Sequence, residues 1–199
     1  MSNYSSDRNF TDYVHKHLTT PLIYKHLGWT EKEMDATELQ FMDMNEGVDY
    51  IFEDKNGKTI KVQERFRDNF YQKYNDCTLR YRRDKNADLS KHESEFYKIK
   101  ADYLIYGITN GSKNIHERHT LTDFIKYVIV DLTVLYDKIQ KGLIIMQRGL
   151  NVSDIKQQKM IVPIKDNFDN SSSFVAFDIN QLQNLFGQDK IIKNQKGYL

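Results

Sequence analysis

The sequence predicts an α/β sandwich, a central mixed β-sheet flanked by helices. Three observations lead there. Asn56-Gly57 lies between two β-favouring runs and marks a hairpin. The run ADYLIYGI at 101–108 is nearly all apolar, the composition of a strand buried on both faces. Segments with apolar residues at steps of three and four lie on both sides of these strands and read as helices.

The elements follow in order. Residues 2–9 are small and polar and read as a frayed start. Phe10, Tyr13, Val14 and Leu18 then mark a short helix. Pro21 suits the first residue of a second helical turn, with Leu22, Ile23 and Leu27 inward and Gly28 as the stop. Residues 30–33 have the form of a capping box, so a third helix is expected from there towards Phe41 or Met44. Residues 48–53 and 59–66 are the hairpin strands, 78–82 alternates as another strand, and 84–92 is polar and reads as a loop. Leu121, Phe124, Val128, Leu132, Leu135 and Ile139 form one apolar stripe. That stripe predicts the longest helix over 121–140, capped by Thr120 or Thr122 and stopped by Gly142. Residues 160–163 and 174–177 are short strands, with serines 171–173 in the turn between them, and 180–186 is a last helix. One domain is expected over 1–199: N-terminal helices in 1–45, a core in 46–142, and a C-terminal β-addition and helix in 143–199.

Composition removes several function classes. The single cysteine, Cys77, excludes an intramolecular disulfide and a Cys-rich zinc site, which fits a reducing, cytoplasmic setting. Cys77 itself reads as a small apolar packing residue. The N-terminus lacks an apolar signal core, and the run 124–135 is interrupted by Lys126 and Asp131 and is too short for a bilayer, so no membrane partner is expected. His15-x-His17 and the pair His116 and His119 match no H-E-x-x-H zinc pattern. The glycines fit neither a phosphate loop nor a G-x-S-x-G elbow.

Formal net charge is +1, so any nucleic-acid surface must come from local clustering. One cluster exists. Arg65, Arg67, Lys73, Arg80, Arg82 and Arg83 are interleaved with Tyr71, Tyr74 and Tyr81. Arg and Lys contact phosphates, and Tyr stacks on bases. Strand alternation puts Arg80 and Arg82 on one face.

The hairpin carries the chemistry. Asp49 stands on its first strand and Gln63-Glu64-Arg65 near the middle of the second. Neighbouring strands lie about 4.8 Å apart, so these side chains can converge on one ion. A hard divalent cation takes carboxylate and amide oxygens, acidifies a bound water and stabilises charge on a phosphate. A nearby cation helps neutralise the transition state.

This arrangement resembles the core of the PD-(D/E)xK nuclease superfamily, the fold of restriction endonucleases and many repair nucleases. There a Gly-x-Asp opens one strand and Glu-x-Lys lies on the next. Gly47-Val48-Asp49 matches the first element, and Ile60 to Arg65 lies where the second should be. Gln63 then takes the acidic position and Arg65 the lysine position; the alternative uses Glu64 through a bulge. Strict alternation sets Glu64 beside Ile60, Val62 and Phe66, and Lys61 and Arg67 on the face of Gln63 and Arg65. Arg cannot serve as a base. Glu38 is the candidate for the family's acidic residue on a preceding helix.

The resemblance implies a restriction-endonuclease-like fold and a Mg²⁺- or Mn²⁺-dependent endonuclease acting on DNA. It implies a metal held by Glu38, Asp49, Gln63 and Glu64, and catalysis by Asp49, Gln63, Glu64 and Arg65. Arg67, Lys73, Arg80, Arg82 and Arg83 would contact the nucleic acid, and a homodimer is common for the family. The departure from Glu-x-Lys keeps an alternative open: a catalytically inactive nuclease-fold protein that binds nucleic acid or a protein partner.

Overall fold

The computed structural model of the chain describes residues 3–83, 94–168 and 170–198. The expected loop at 84–92 lies outside the described residues. No described helix is long and apolar enough to cross a membrane.

The N-terminal helix starts earlier and breaks less than expected. Helix α1 (Asn3–Val14) runs into a π-helical stretch (His15–Tyr24) and a last turn, α2 (Lys25–Leu27), so residues 3–9 are helical rather than frayed. Pro21 lies inside this run instead of opening a second helix. The wide turns are closed by bonds such as Lys25 N–H to the Thr20 carbonyl, so the missing proline N–H does not end the helix. The predicted capping box at 30–33 does not start a helix. Thr30–Glu31 is instead a short edge strand, β1. The next helix, α3 (Ala36–Glu46), is capped by Asp35, whose side chain accepts from Thr37 N–H at 2.8 Å. Two capping signals lie five residues apart in the sequence, and the second one forms.

The hairpin forms as expected, from β2 (Tyr50–Glu53) and β3 (Thr59–Arg67). The strand β4 (Asp76–Arg83) leaves this sheet for a second one. After the short helix α4 (Glu95–Lys98), the buried strand β5 (Tyr103–Thr109) returns and pairs with β3 in parallel. Gly107 is required there: a Cβ would stand 2.7 Å from the Phe124 ring and 3.1 Å from that of Phe66.

The predicted 121–140 helix is the largest correction. Its first half is a strand, β6 (Phe124–Asp131), and only α5 (Leu132–Gln140) is helical. Asp131, not Thr120 or Thr122, caps α5 by accepting from Val134 N–H at 3.0 Å. The later strands are β7 (Ile144–Arg148), β8 (Asp154–Lys156), β9 (Lys159–Asp166) and β10 (Ser172–Asp178), so Ser172 and Ser173 belong to a strand rather than a turn. Helix α6 (Ile179–Phe186) and a last strand, β11 (Ile192–Lys196), close the chain.

Two mixed sheets result. The first has the order β1-β2-β3-β5-β6-β11; the second runs β4-β10-β9-β7, with β8 on β9. The first sheet is buried on both faces. One face packs Ile60, Val62, Phe66, Ile105 and Ile129 against Phe10, Val14, Leu18 and Tyr24 of the N-terminal helix. The other packs Leu104, Tyr106, Val128 and Val130 against Leu79, Val162, Val175 and Phe177 of the second sheet, with Leu135 and Leu182 from the helices. Both clusters exclude water from large apolar side chains, the main favourable term in folding. An α/β fold with helix-flanked mixed sheets is therefore present.

Candidate functional site

A cleft of about 560 Å³ opens where β2 stops short of β3. The β2–β3 pairing ends at Tyr50 and Val62, while β3 goes on to Arg67 with β5 on its other side. The Asp49 N–H bonds the Val62 carbonyl at 2.8 Å, and its Oδ2 then accepts the Glu64 N–H at 2.7 Å. Asp49 thus satisfies a strand edge that would otherwise be open. It is only 5% exposed.

Asp49 has a carboxylate neighbour that sequence reading missed. Asp43, from the last turns of α3, lines the same cleft and meets the same Arg8 nitrogen. The Arg8 guanidinium from α1 bridges both: Nη1 lies 2.9 Å from Asp43 Oδ2 and 3.2 Å from Asp49 Oδ1. Burial and the charge of Asp43 push the Asp49 carboxyl well above the usual range, against the Glu64 N–H and Arg8. Burial raises Asp43 as well, with Arg8 opposing. One buried and one half-buried carboxyl, both raised and facing one Arg, form a site whose crowded negative charge a cation would relieve.

The trio on β3 divides as strand alternation demands. Gln63 and Arg65 face the cleft wall built by α4, where Glu95 Oε2 takes Arg65 Nη1 at 2.8 Å and the Arg80 N–H at 3.1 Å. Burial pushes the Arg65 guanidinium down, to about 10, with Glu95 pulling it back up. Glu64 borders the cleft, but its Oε1 turns to the helix-covered face and meets His15 Nδ1 at 3.0 Å and the Tyr24 hydroxyl. Burial lowers His15, and the Glu64 charge and hydrogen bonds from Glu31 and Glu64 more than reverse this, raising it to about 10. His15 is thus a charged partner of Glu64.

Two acceptors in this neighbourhood are buried without a hydrogen-bond partner, Gln63 Oε1 and Glu64 Oε2. Gly47 has φ +57°, which lets it turn the chain out of α3, and a Cβ there would stand 3.3 Å from the Ile99 backbone. The oxygens of Asp43, Asp49 and one of these two acceptors match what Mg²⁺ or Mn²⁺ takes. Among the described residues, no three His, Cys, Asp or Glu side chains gather as a metal site.

The other candidate residues are scattered. Glu38 lies on the exposed face of α3 and does not line the cleft. The inward stripe of α3 is Leu39, Met42, Asp43 and Glu46, and that spacing was the signal for Asp43. Arg67, Arg80 and Arg83 line the cleft. Arg82 does not share the face of Arg80. A β-bulge at Tyr81 breaks the pairing with β10, and Arg82 lies 5.5 and 5.7 Å from the rings of Tyr81 and Tyr97. Lys73 lies outside the cleft, beside Phe70 and Tyr74. Cys77 is fully buried and its thiol is pushed up by burial, as a packing residue would be. Among the described residues, seven Lys and Arg line the cleft against four Asp and Glu, in a chain whose net charge is only +1.

No family model matches the chain, and neither does any curated protein or solved structure.

Proposed function

We propose that the cleft takes a nucleic-acid backbone and hydrolyses its phosphodiester bond with a divalent cation, as an endonuclease of restriction-like fold. The observation that carries this reading is the Asp43–Asp49 carboxyl pair in the same cleft as the unpartnered Gln63 Oε1, where seven of the nineteen described lining residues are Lys or Arg. The bound cation would be held by Asp43, Asp49 and either Gln63 or Glu64. Mg²⁺ or Mn²⁺ there supplies an acidified water and charge stabilisation on the phosphate. Arg65 stands on the same strand, where it can neutralise charge on the scissile phosphate, held in place by Glu95. Arg67, Arg80 and Arg83 hold the flanking phosphates.

One observation favours a second reading. Arg8 already spans both carboxylates and stands in for a cation. A chain that keeps Arg8 there binds the nucleic acid without cutting it. Calorimetry with Mn²⁺ and Mg²⁺ beside a plasmid-nicking assay separates the two. The first reading expects heat and nicking in the native chain, and neither in Asp49→Asn. Salt-sensitive DNA binding with no metal heat establishes the second. Comparing Gln63→Ala with Glu64→Gln for metal heat assigns the third donor.

A further inference from the structure

Beyond the end of β3 the chain exposes a ladder of rings. Phe70, Tyr71 and Tyr74 are 69%, 36% and 41% exposed. The Phe70 and Tyr71 centroids are 5.5 Å apart and nearly perpendicular, and those of Tyr71 and Tyr74 are 6.2 Å apart. Cations are interleaved: Arg67 lies 5.2 Å from the Tyr71 centroid, and Lys73 lies 5.7 Å from Phe70 and 5.2 Å from Tyr74.

The ladder is built, not a loose loop. Asp68 caps the 3-10 turn Asn69–Tyr71 by accepting the Phe70 N–H at 3.2 Å. Asn69 N–H bonds the Gly111 carbonyl at 3.1 Å, and Tyr74 N–H bonds that of Tyr71 at 3.0 Å. Lys126 Nζ ties down the Tyr74 carbonyl at 3.1 Å and Asn75 Oδ1 at 2.6 Å. The backbone that carries the rings is held in place in this way, so less ordering is needed when a ligand lands on them.

We infer that Phe70, Tyr71 and Tyr74, with Arg67 and Lys73, form a stacking platform for unpaired bases, so the strand entering the cleft is single-stranded. This rests on the nuclease-cleft reading and adds its substrate class. Arg67 makes the connection, since it lines the cleft and also stands over Tyr71. Bases in a duplex are paired and covered by their neighbours, so only an unpaired strand offers its base faces to these exposed rings. Aromatic faces interleaved with cations are how sequence-tolerant single-strand binders hold bases and phosphates together. An apolar protein partner would have no use for cations placed among the rings.

The test is anisotropy with labelled oligothymidine, oligouridine and a duplex of equal length, without divalent metal. The native chain binds the single strands more tightly than the duplex. Phe70→Ala and Tyr74→Ala each weaken single-strand binding about tenfold and leave duplex binding and Mn²⁺ heat unchanged. Phe70→Trp restores the loss, whereas Phe70→Leu does not. Equal affinity for duplex and single strand, or full rescue by Leu, overturns the platform and leaves the metal cleft standing. Platform-dependent binding without metal-dependent nicking upholds the platform and removes the nuclease. No binding to any oligonucleotide overturns both.

Discussion

The Glu64 carboxylate ties the cleft to the helix-covered face of the sheet. Its side chain is wholly buried between His15 and Tyr24, so its charge is tolerable only while His15 stays protonated. Glu64→Ala should cost about 3 kcal/mol in urea unfolding at pH 7, because it leaves the buried His15 cation with only the half-exposed Glu31 as its carboxylate partner. The pH dependence has a fixed sign. His15 titrates near 6.5 unfolded and is raised to about 10 in the fold, so its contribution is complete below about pH 6.5 and is lost as pH climbs towards 10. Native stability should therefore fall over that window, and Glu64→Gln should make the fall smaller, since only Glu31 then still raises His15. If the two pH profiles coincide, His15 is not the group responsible. Arg8 gives the second residue-scale prediction. Its unit charge repels any divalent cation at the carboxylate pair, and Arg8→Ala should tighten Mn²⁺ binding on the order of tenfold. Since Asp43 and Asp49 are both raised, they give up their proton only as pH rises, and Mn²⁺ affinity should grow from pH 5 to 8. Calorimetry across that range checks both statements.

At the scale of elements, the split of the expected 121–140 helix explains what a sequence can and cannot disclose. Phe124, Val128, Leu132 and Leu135 fit a helical stripe, but Val128 and Val130 face one core cluster while Phe124 and Ile129 face the other. A strand buried on both faces is apolar throughout, so its alternation leaves no polar mark to read. The hairpin was legible because Asn56-Gly57 announces it, and β5 because its whole length is apolar. Edge strands β1 and β11 were not legible, since their stability comes from partners remote in sequence. In the site, Asp49, Gln63 and Arg65 followed from the hairpin register. Asp43 was lost with the misplaced start of α3, and Arg8 with the stretch read as frayed. The corrected helix start is testable. Asp131→Ala removes the N-cap of α5 and should cost about 1 kcal/mol in urea unfolding, whereas Thr122→Ala should cost far less. Equal effects would mean that the cap lies elsewhere.

Over the whole molecule, charge is arranged rather than accumulated. The chain is nearly neutral, yet seven of the described residues that line its cleft are cationic, with carboxylates concentrated at the floor and around Arg65. A neutral protein has little long-range attraction for nucleic acid, so binding must come from phosphates that reach the cleft and release their counterions. If about four phosphates of a single strand are neutralised there, the slope of log K against log salt should be about −3. Arg80→Ala and Arg83→Ala should each flatten that slope by about 0.7, because each removes one phosphate contact. Lys156→Ala, on a strand of the second sheet outside the cleft, should leave it unchanged. Anisotropy titrations between 50 and 300 mM KCl measure all four slopes. A slope near zero in the native chain would place the ligand's affinity in apolar contact alone. A slope that Lys156→Ala flattens as much as Arg83→Ala would spread the charge over the whole surface and leave the cleft no special part in binding.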